Sequence, residues 1–430
     1  MSDSSKDGFL PCWKLKTGGV IAPDERLPWA QTIIVGIQHV VAMFGSTALA
    51  PIIMGFDPNV SILFSGIGTL IFFLIVGGRV PSYLGSSFAF IAVVMAVTGY
   101  AGSGPNPNIG LALGGIIAAG VVYVLIGAIV TVVGYAWVEK LMPPLVTGAV
   151  VAAIGLNLAP LAVKSASGSG FNSFIGLATV VFVGGFAVYA PGMARRLPIL
   201  LGGLASYLLY LVAANGLGFG KAIDFSGVAQ AAWFGLPNFT APVFSGSAMG
   251  LIAPIAVILV AENLGHIKAI GAMTGRNLDA YLGRAFIGDG IATIVSAFGG
   301  GTGVTTYAEN MGVMAATKIF STLAFVVAGL FAIVLGFSPK FGMLILTIPG
   351  PVIGGLELVI FGLISATAGR IWVENKVDFS SPRNLITAAV TLTAGAGDLT
   401  LHLGGFTLGG IGTATFGAII LYQLLREKAA

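Results

Sequence analysis

Apolar stretches of membrane-spanning length recur along almost the whole chain, and no other feature limits its fold as much. A helix needs about 20 residues to cross the hydrocarbon of a bilayer. Fourteen runs near that length lie at 30–54, 60–78, 85–99, 110–133, 143–163, 173–190, 197–214, 248–272, 284–299, 303–316, 318–337, 341–366, 384–397 and 406–425. Short polar breaks separate them. Charged residues make up 8% of the 430 residues, where a soluble domain carries roughly 25%. Backbone groups in hydrocarbon must be paired within the protein, which favours packed helices. The expected fold is an all-α polytopic membrane protein with 14 transmembrane segments. The third and tenth segments are short and rich in Gly, Ser and Thr, and read poorly as whole helices.

The basic residues set the expected orientation. With the N-terminus inside, only Lys164, Lys221 and Lys340 of the twenty Lys and Arg fall outside, leaving seventeen on the inner side. One span more or fewer in either half would scramble this bias. Both termini are therefore expected to be cytoplasmic. Residues 1–19 are polar and no apolar run precedes Leu27, so no cleavable signal is expected. Cys12 is the single cysteine, which excludes an intrachain disulfide. The net charge of +4 is spread along inner loops and gives no reason to expect nucleic acid as a partner.

A faint internal repeat adds a constraint. Residues 142–156 (MPPLVTGAVVAAIGL) resemble 348–363 (IPGPVIGGLELVIFGL), matching at Pro143/Pro349, Val146/Val352 and Gly148/Gly354. Residues 66–69 (GIGT) resemble 290–293 (GIAT). Both matches lie seven spans apart. Seven is odd, so the halves are expected as two inverted 7-segment repeats. Segments 3 and 10 then hold equivalent places. Paired short, Gly-interrupted segments are a sequence pointer to a transporter binding site.

Ionisable residues inside apolar segments mark function, because burying a charge there costs about 2.5–3.5 kcal/mol even on lenient scales. Glu262 and His266 are four apart and share a helix face. They read either as a proton-carrying carboxylate–imidazole relay or as a buried pair that fixes the helix. Glu309 follows the β-prone run Thr305, Thr306, Tyr307 and Ala308, so an extended strand is expected before a half-helix starting near Glu309. Such a start offers free N–H groups and a positive dipole end. Glu309 then serves as a ligand acceptor or as a plain N-cap. Residues 85–90 (GSSFAF) read the same way in the first half. Phe88 can lie against a flat ligand or pack in the core, and Phe361 is a weaker aromatic candidate. Gln38 and His39 place polar atoms at mid-membrane, as a hydrogen-bond network beneath the site. Asp289 is expected to bond the backbone of segment 10, with proton traffic as a second role. Glu357 has no evident role. Two carboxylates that accept N–H bonds, half-helix N–H groups that donate, and aromatic faces fit a planar ring with adjacent N–H and C=O groups, such as a pyrimidine-dione. A site of this kind leaves buried groups unpaired when the wrong ring enters.

The same residues resemble the nucleobase–cation symporter family, also called nucleobase–ascorbate transporters, over residues 25–426. The family signature appears as Glu309, Asn310 and Gly312 followed by Thr317 and Lys318. The first-span pair appears as Gln38 and His39, and residues 261–266 (AENLGH) match a further motif. Residues 22–32 (APDERLPWAQT), 79–87 (RVPSYLGSS), 142–151 (MPPLVTGAVV) and 406–419 (FTLGGIGTATFGAI) are similar to the uracil-transporting members. The resemblance implies a cytoplasmic N-terminal tail (1–27), a core domain (28–134 with 217–338) and a gate domain (135–216 with 339–430). It implies proton-coupled import by a homodimer in the bacterial inner membrane. It implies that Glu262 and Glu309 bind the base, assisted by Tyr307, Ala308 and Phe88, and that His266 partners Glu262. Ser46, Asn310 and Thr317 fall to the supporting network. Phe361 stands where uracil carriers can have a tyrosine, which leaves its role open. Uracil leads as substrate, with thymine and then xanthine behind it.

Rival classes follow from the same composition. An anion exchanger of similar architecture would hold its ligand on helix dipoles without two opposing acids. A membrane hydrolase would need a nucleophile or metal set, and none stands out. Residues 299–304 (GGGTGV) lack the following Lys-Ser/Thr of a phosphate loop, and His39, His266 and His402 are too scattered for a metal. A passive channel would not concentrate a ligand. No enzyme activity, metal or cofactor is expected.

Overall fold

The computed structural model describes residues 8–426 apart from 101, 103, 193, 404 and 405. The extreme ends of both predicted tails thus lie outside the described residues. In chain order the main elements are α1 (Trp29–Met54), α2 (Pro58–Ile75), β1 (Leu84–Ser86), α3 (Ile91–Thr98), α4 (Ile109–Val133), α5 (Pro144–Ala166), α6 (Gly170–Tyr189) and α7 (Pro198–Leu211). The second half continues with α8 (Ile255–Thr274), α9 (Leu282–Phe298), β2 (Val304–Thr306), α10 (Ala308–Thr317), α11 (Thr322–Gly336), α12 (Pro339–Leu346), α13 (Gly350–Glu374), α14 (Pro382–Ala396) and α15 (Gly410–Leu424). Among the described residues eight helices are long and apolar enough to cross a membrane, or nine if α11 and α12 count as one bent span. The chain is a helical polytopic membrane protein.

Local chemistry sets the helix ends. Asp57 caps α2, its Oδ1 accepting from Asn59 N at 2.8 Å, with Pro58 at the first helical position. Pro143–Pro144 opens α5 and Pro349–Gly350–Pro351 opens α13. Proline suits a first turn because its missing N–H would be unpaired there anyway. Segment 12, read from sequence at 341–366, is corrected by these prolines. Residues 339–346 form the separate helix α12, bent 82° from α11, and the spanning helix begins only at Gly350. Pro254 likewise divides segment 8 into Gly246–Ile252 and α8.

Two compact units divide the chain. The first comprises Met1–Phe90, Val94–Tyr135 and Gly227–Leu346, the second Ile91–Val93, Ala136–Ser226 and Thr347–Ala430. Within the first, α2 packs on α11 while α9 packs on α4. Both crossings use glycine from the repeated motif. A Cβ on Gly66 would overlap the carbonyl oxygen of Gly329, and one on Gly290 would meet that of Gly120. Small residues allow this backbone approach in a membrane. At the centre β1 pairs antiparallel with β2, Leu84 opposite Thr306, Gly85 opposite Thr305 and Ser86 opposite Val304.

Residues 8–27 are fastened across one end of the first unit. Trp13 Nε1 donates to Thr322 Oγ1 at 2.9 Å, Ile21 N donates to Lys318 O at 3.0 Å, and Asp24 pairs with Arg276. The fastening draws on the ends of α8, α10 and α11. In the second unit α5 packs on α13, and α14 on both α5 and α15. Gly148 faces the Trp372 indole there, and Gly354 faces the backbone at Ser165 and Ala166.

Candidate functional site

The strand pair β1–β2 organises the polar residues of the first unit. Two bonded strands leave their outer edges unpaired, and a buried backbone group without a partner is costly. A threonine from the preceding helix covers each edge. Leu84 N donates to Thr69 Oγ1 at 2.9 Å, and Val304 N donates to Thr293 Oγ1 at 3.2 Å. The hydroxyls pass their own hydrogens on, Thr69 to Ser65 O at 2.8 Å and Thr293 to Val304 O at 3.1 Å. These are the last residues of the two matching tetrapeptides, so the repeat has a local purpose: it docks each strand on its own helix.

Each strand feeds a short helix. A 3-10 turn, Phe88–Phe90, follows β1 and continues into α3. Tyr307 follows β2 as the N-cap residue of α10, placing Ala308 and Glu309 in the first turn. Tyr307 is fixed from three sides. Its N–H donates to Tyr83 O at 3.0 Å, its Oη donates to Ser86 O at 2.8 Å, and Thr47 Oγ1 donates to its Oη at 3.2 Å. Ala308 is exposed and Glu309 half-buried. Their N–H groups belong to a helix start, where no intrahelical acceptor exists.

The carboxylates gather at this start. Ser46 of α1 donates to Glu309 Oε1. Helices α8 and α10 touch, which brings the helix that bears Glu262 against the one that starts at Ala308 and Glu309. Glu262, His266 and Phe88 are all half-buried, so this face of the unit is partly open. His266 Nδ1 lies 2.8 Å from Thr306 Oγ1. Among the described residues no hydrogen bond joins Glu262 to His266, although they share a helix face.

Below the site lie two buried clusters. Asn310 Nδ2 donates to His39 O at 3.0 Å and lies 3.1 Å from His39 Nδ1, tying α10 to α1, while the His39 ring rests against Phe325 with centroids 4.3 Å apart. Asp289 Oδ2 accepts from Asn263 Nδ2 at 2.7 Å and from Tyr123 Oη at 3.3 Å. Asp289 is thus held by side chains of α8 and α4. Thr317 is local to its helix, donating to Val313 O at 2.8 Å. Gln38 lies on α1, one residue before His39. Phe361 and Glu357 belong to the second unit, on α13, both buried. Phe361 lines an apolar cavity with Gly155, Leu358 and Ser365.

Sequence reasoning missed Thr69, Thr293, Thr306, Tyr123 and Asn263. The tetrapeptide repeat was the available signal for the first two. Asn263 gave none, because one residue beyond Glu262 it turns about 100° around the helix and faces α9 instead of the site.

Comparison with known proteins locates this arrangement in a family. A family model described as "Permease family" (Xan_ur_permease) matches residues 30–404. The chain is 64% identical over 425 residues to "Putative pyrimidine permease RutG" of Escherichia coli (strain K12), covering 98% of this chain and 96% of that protein. It is 41% identical to "Uracil permease" of Paenibacillus larvae subsp. larvae (strain NRRL B-3650 / LMG 16245), over 94% and 96% of the two chains. Among solved structures, the transmembrane domain of the cyanobacterial bicarbonate transporter BicA superposes with a TM-score of 0.62 at 15% identity, covering 91% of this chain and 97% of that one. The murine anion transporter Slc26a9, in its inward-facing state, does so with 0.67 at 12% identity, covering 92% and 68%. These two likenesses speak for the fold alone. Matched by the family model over most of its length, and more than 40% identical to two named permeases nearly end to end, the chain belongs to the Xan_ur_permease family of permeases.

Proposed function

We propose that the protein is a proton-coupled symporter that imports a nucleobase, uracil first and thymine and xanthine after it, by alternating access. The observation that carries this reading is that α8, which bears Glu262, packs on α10, whose first turn bears Glu309, on a partly open face. A flat ring with alternating N–H and C=O groups satisfies carboxylates and helix-start N–H groups together. The names of the relatives point the same way. Phe88 supplies an aromatic face and Tyr307 and Ala308 set the backbone. Glu262, His266 and Asp289 carry or steer the proton. Gln38, His39, Ser46, Asn310 and Thr317 support the site. Phe361, on α13 of the second unit, is the weaker aromatic candidate.

We assign residues 28–134 and 217–338 to the core and 135–216 and 339–430 to the gate. The two compact units support that division, with boundaries about one to ten residues later at Tyr135, Ser226 and Leu346, and with Ile91–Val93 grouped in the second unit. Fourteen segments in two inverted sevens are supported by the matched pairings of α2 with α11 and α9 with α4. Six shorter helices (α3, α9, α10, α11, α14 and α15) stand beside the eight full-length ones. A homodimer in the bacterial inner membrane with cytoplasmic termini completes the proposal.

The test is labelled-uracil uptake into proteoliposomes under an inward proton gradient. Accumulation that a protonophore collapses supports the reading, while saturable entry without concentration would remove the proton roles. One alternative compatible with the same fold is an anion exchanger. Glu309 at the start of α10 and Glu262 on the neighbouring α8 oppose an anion, and competition by sulfate but not uracil would reverse the choice.

The strand-docking threonines give a second prediction. Thr69→Val or Thr293→Val strands a buried N–H, a cost of about 1–3 kcal/mol. If the strands position the site, uracil affinity falls on the order of tenfold, each 1.36 kcal/mol being one decade. Thr→Ser at the same positions restores it. Isothermal titration of the purified variants checks this; unchanged affinity in both valine variants would refute the positioning role.

A further inference from the structure

Between Asp224 and Glu262 the chain carries no charged residue. Residues 231–245 also form no regular helix or strand. The stretch is nonetheless fastened in place. Gly235 N donates to Phe337 O at 2.9 Å, just past α11, and Val243 N donates to Gly110 O at 2.8 Å, in the first turn of α4. The Phe239 ring meets Phe64, near the start of α2, edge-on at 6.3 Å. The stretch therefore crosses the end of the first unit opposite the N-terminal fastening. Along that course it turns outward Trp233 (74% exposed), Phe234 (71%), Leu236 (77%) and Phe244 (58%). At its side runs α12, bent 82° from α11 and carrying exposed Leu346. Lys340 of α12 links the two. Its Nζ donates to Val228 O at 2.8 Å and sits 5.2 Å over the Trp233 ring.

Three environments can be weighed for this surface. Irregular backbone cannot face hydrocarbon, because its N–H and C=O groups would have no partners. Four large apolar side chains facing bulk water would forgo burial that the membrane beside them offers. The membrane–water interface alone meets both demands, and aromatic rings with one polar edge collect there. Its attachment to the first turn of the spanning helix α4 and to the end of α11 brings it to that level. We propose that residues 231–244 and α12 form an interfacial collar seated among phospholipid headgroups, with Trp233 as the anchor and the Lys340 ammonium within reach of lipid phosphate. The proposal rests on the chain being a membrane protein and is independent of its substrate.

The test uses the full chain in phospholipid vesicles. Five tryptophans are present, so Trp13, Trp29, Trp137 and Trp372 are replaced by Phe to leave Trp233 as the reporter. Its fluorescence is then quenched by lipids brominated near the headgroup end of the acyl chain, by lipids brominated near the chain terminus, and by aqueous iodide. Shallow bromines should quench about twofold more than deep ones, with iodide weak. Where the fourfold variant fails to fold, the signal lost between the unmodified protein and Trp233→Phe reports the same residue. Quenching by iodide as strong as for free tryptophan would overturn the proposal. So would resistance to all three quenchers that fades as the protein is diluted in lipid, since a second copy would then cover the ring.

Discussion

Glu262→Gln is expected to abolish uracil accumulation while leaving a site that still binds. Glutamine keeps the shape of the side chain and one acceptor oxygen, but it can neither take up nor release a proton. A proton gradient contributes roughly 1.4 kcal/mol per pH unit, and one net charge moved adds about 2.3 kcal/mol per 100 mV. With the proton uncoupled that drive is lost, and uptake should stop at equal concentrations on the two sides. The structure removes one competing explanation. His266 is held by Thr306 Oγ1 at 2.8 Å and makes no hydrogen bond to Glu262. Changing Glu262 therefore does not strip a structural partner from the imidazole. Uptake in proteoliposomes and equilibrium binding should separate, the first falling to passive levels and the second changing far less. Accumulation at the unmodified level would end the proton role of Glu262.

How much of this was legible in the sequence depended on whether the physical signal is local. A strand-forming run after glycines and before an acidic helix start is local, and the strand Val304–Thr306 ahead of helix Ala308–Thr317 lies where residues 305–309 indicated. Proline pairs at 143–144 and 349–351 are equally local and open α5 and α13, although from sequence only the first marked the start of a segment and segment 12 began at 341. The partner of a side chain is not local. The i, i+4 spacing of Glu262 and His266 shows a shared face, but helices on either side decide what each meets, and His266 meets a strand threonine. Asp289 was expected on the segment 10 backbone, and the Thr306 backbone does act on it, but its side-chain partners, Asn263 on the preceding helix and Tyr123 on the distant α4, carried no sequence signal. The bend at Pro339 was hidden because α11 and α12 are both apolar and hydropathy does not register direction. A glycine inside a strand warns of close approach, but what approaches it appears only in the structure.

Gly85 is that case, and Gly85→Ala should damage the site directly. A Cβ at Gly85 would lie 2.5 Å from Thr47 Oγ1 and 2.5 Å from the Tyr307 ring. The ring cannot step aside cheaply, because its hydroxyl bonds Ser86 O and Thr47 and its own N–H bonds Tyr83 O. Either those bonds break or β1 moves off β2. Forcing a methyl into such packing costs about 1–3 kcal/mol. The cost falls at the site, because Tyr307 caps α10 and its displacement carries Ala308 and Glu309 with it. If uracil binds there, its affinity should drop on the order of tenfold to a hundredfold, at 1.36 kcal/mol per decade. Gly417→Ala in α15, where nothing lies within 4 Å of the new methyl, is the matched control. Titration with uracil alongside a thermal melt of both variants gives the answer. Lost affinity in a protein that still melts cooperatively locates the fault at the Tyr307 cap. Unmodified affinity in Gly85→Ala would show that α10 holds its place without the strand pair, and the strands would lose their positioning role.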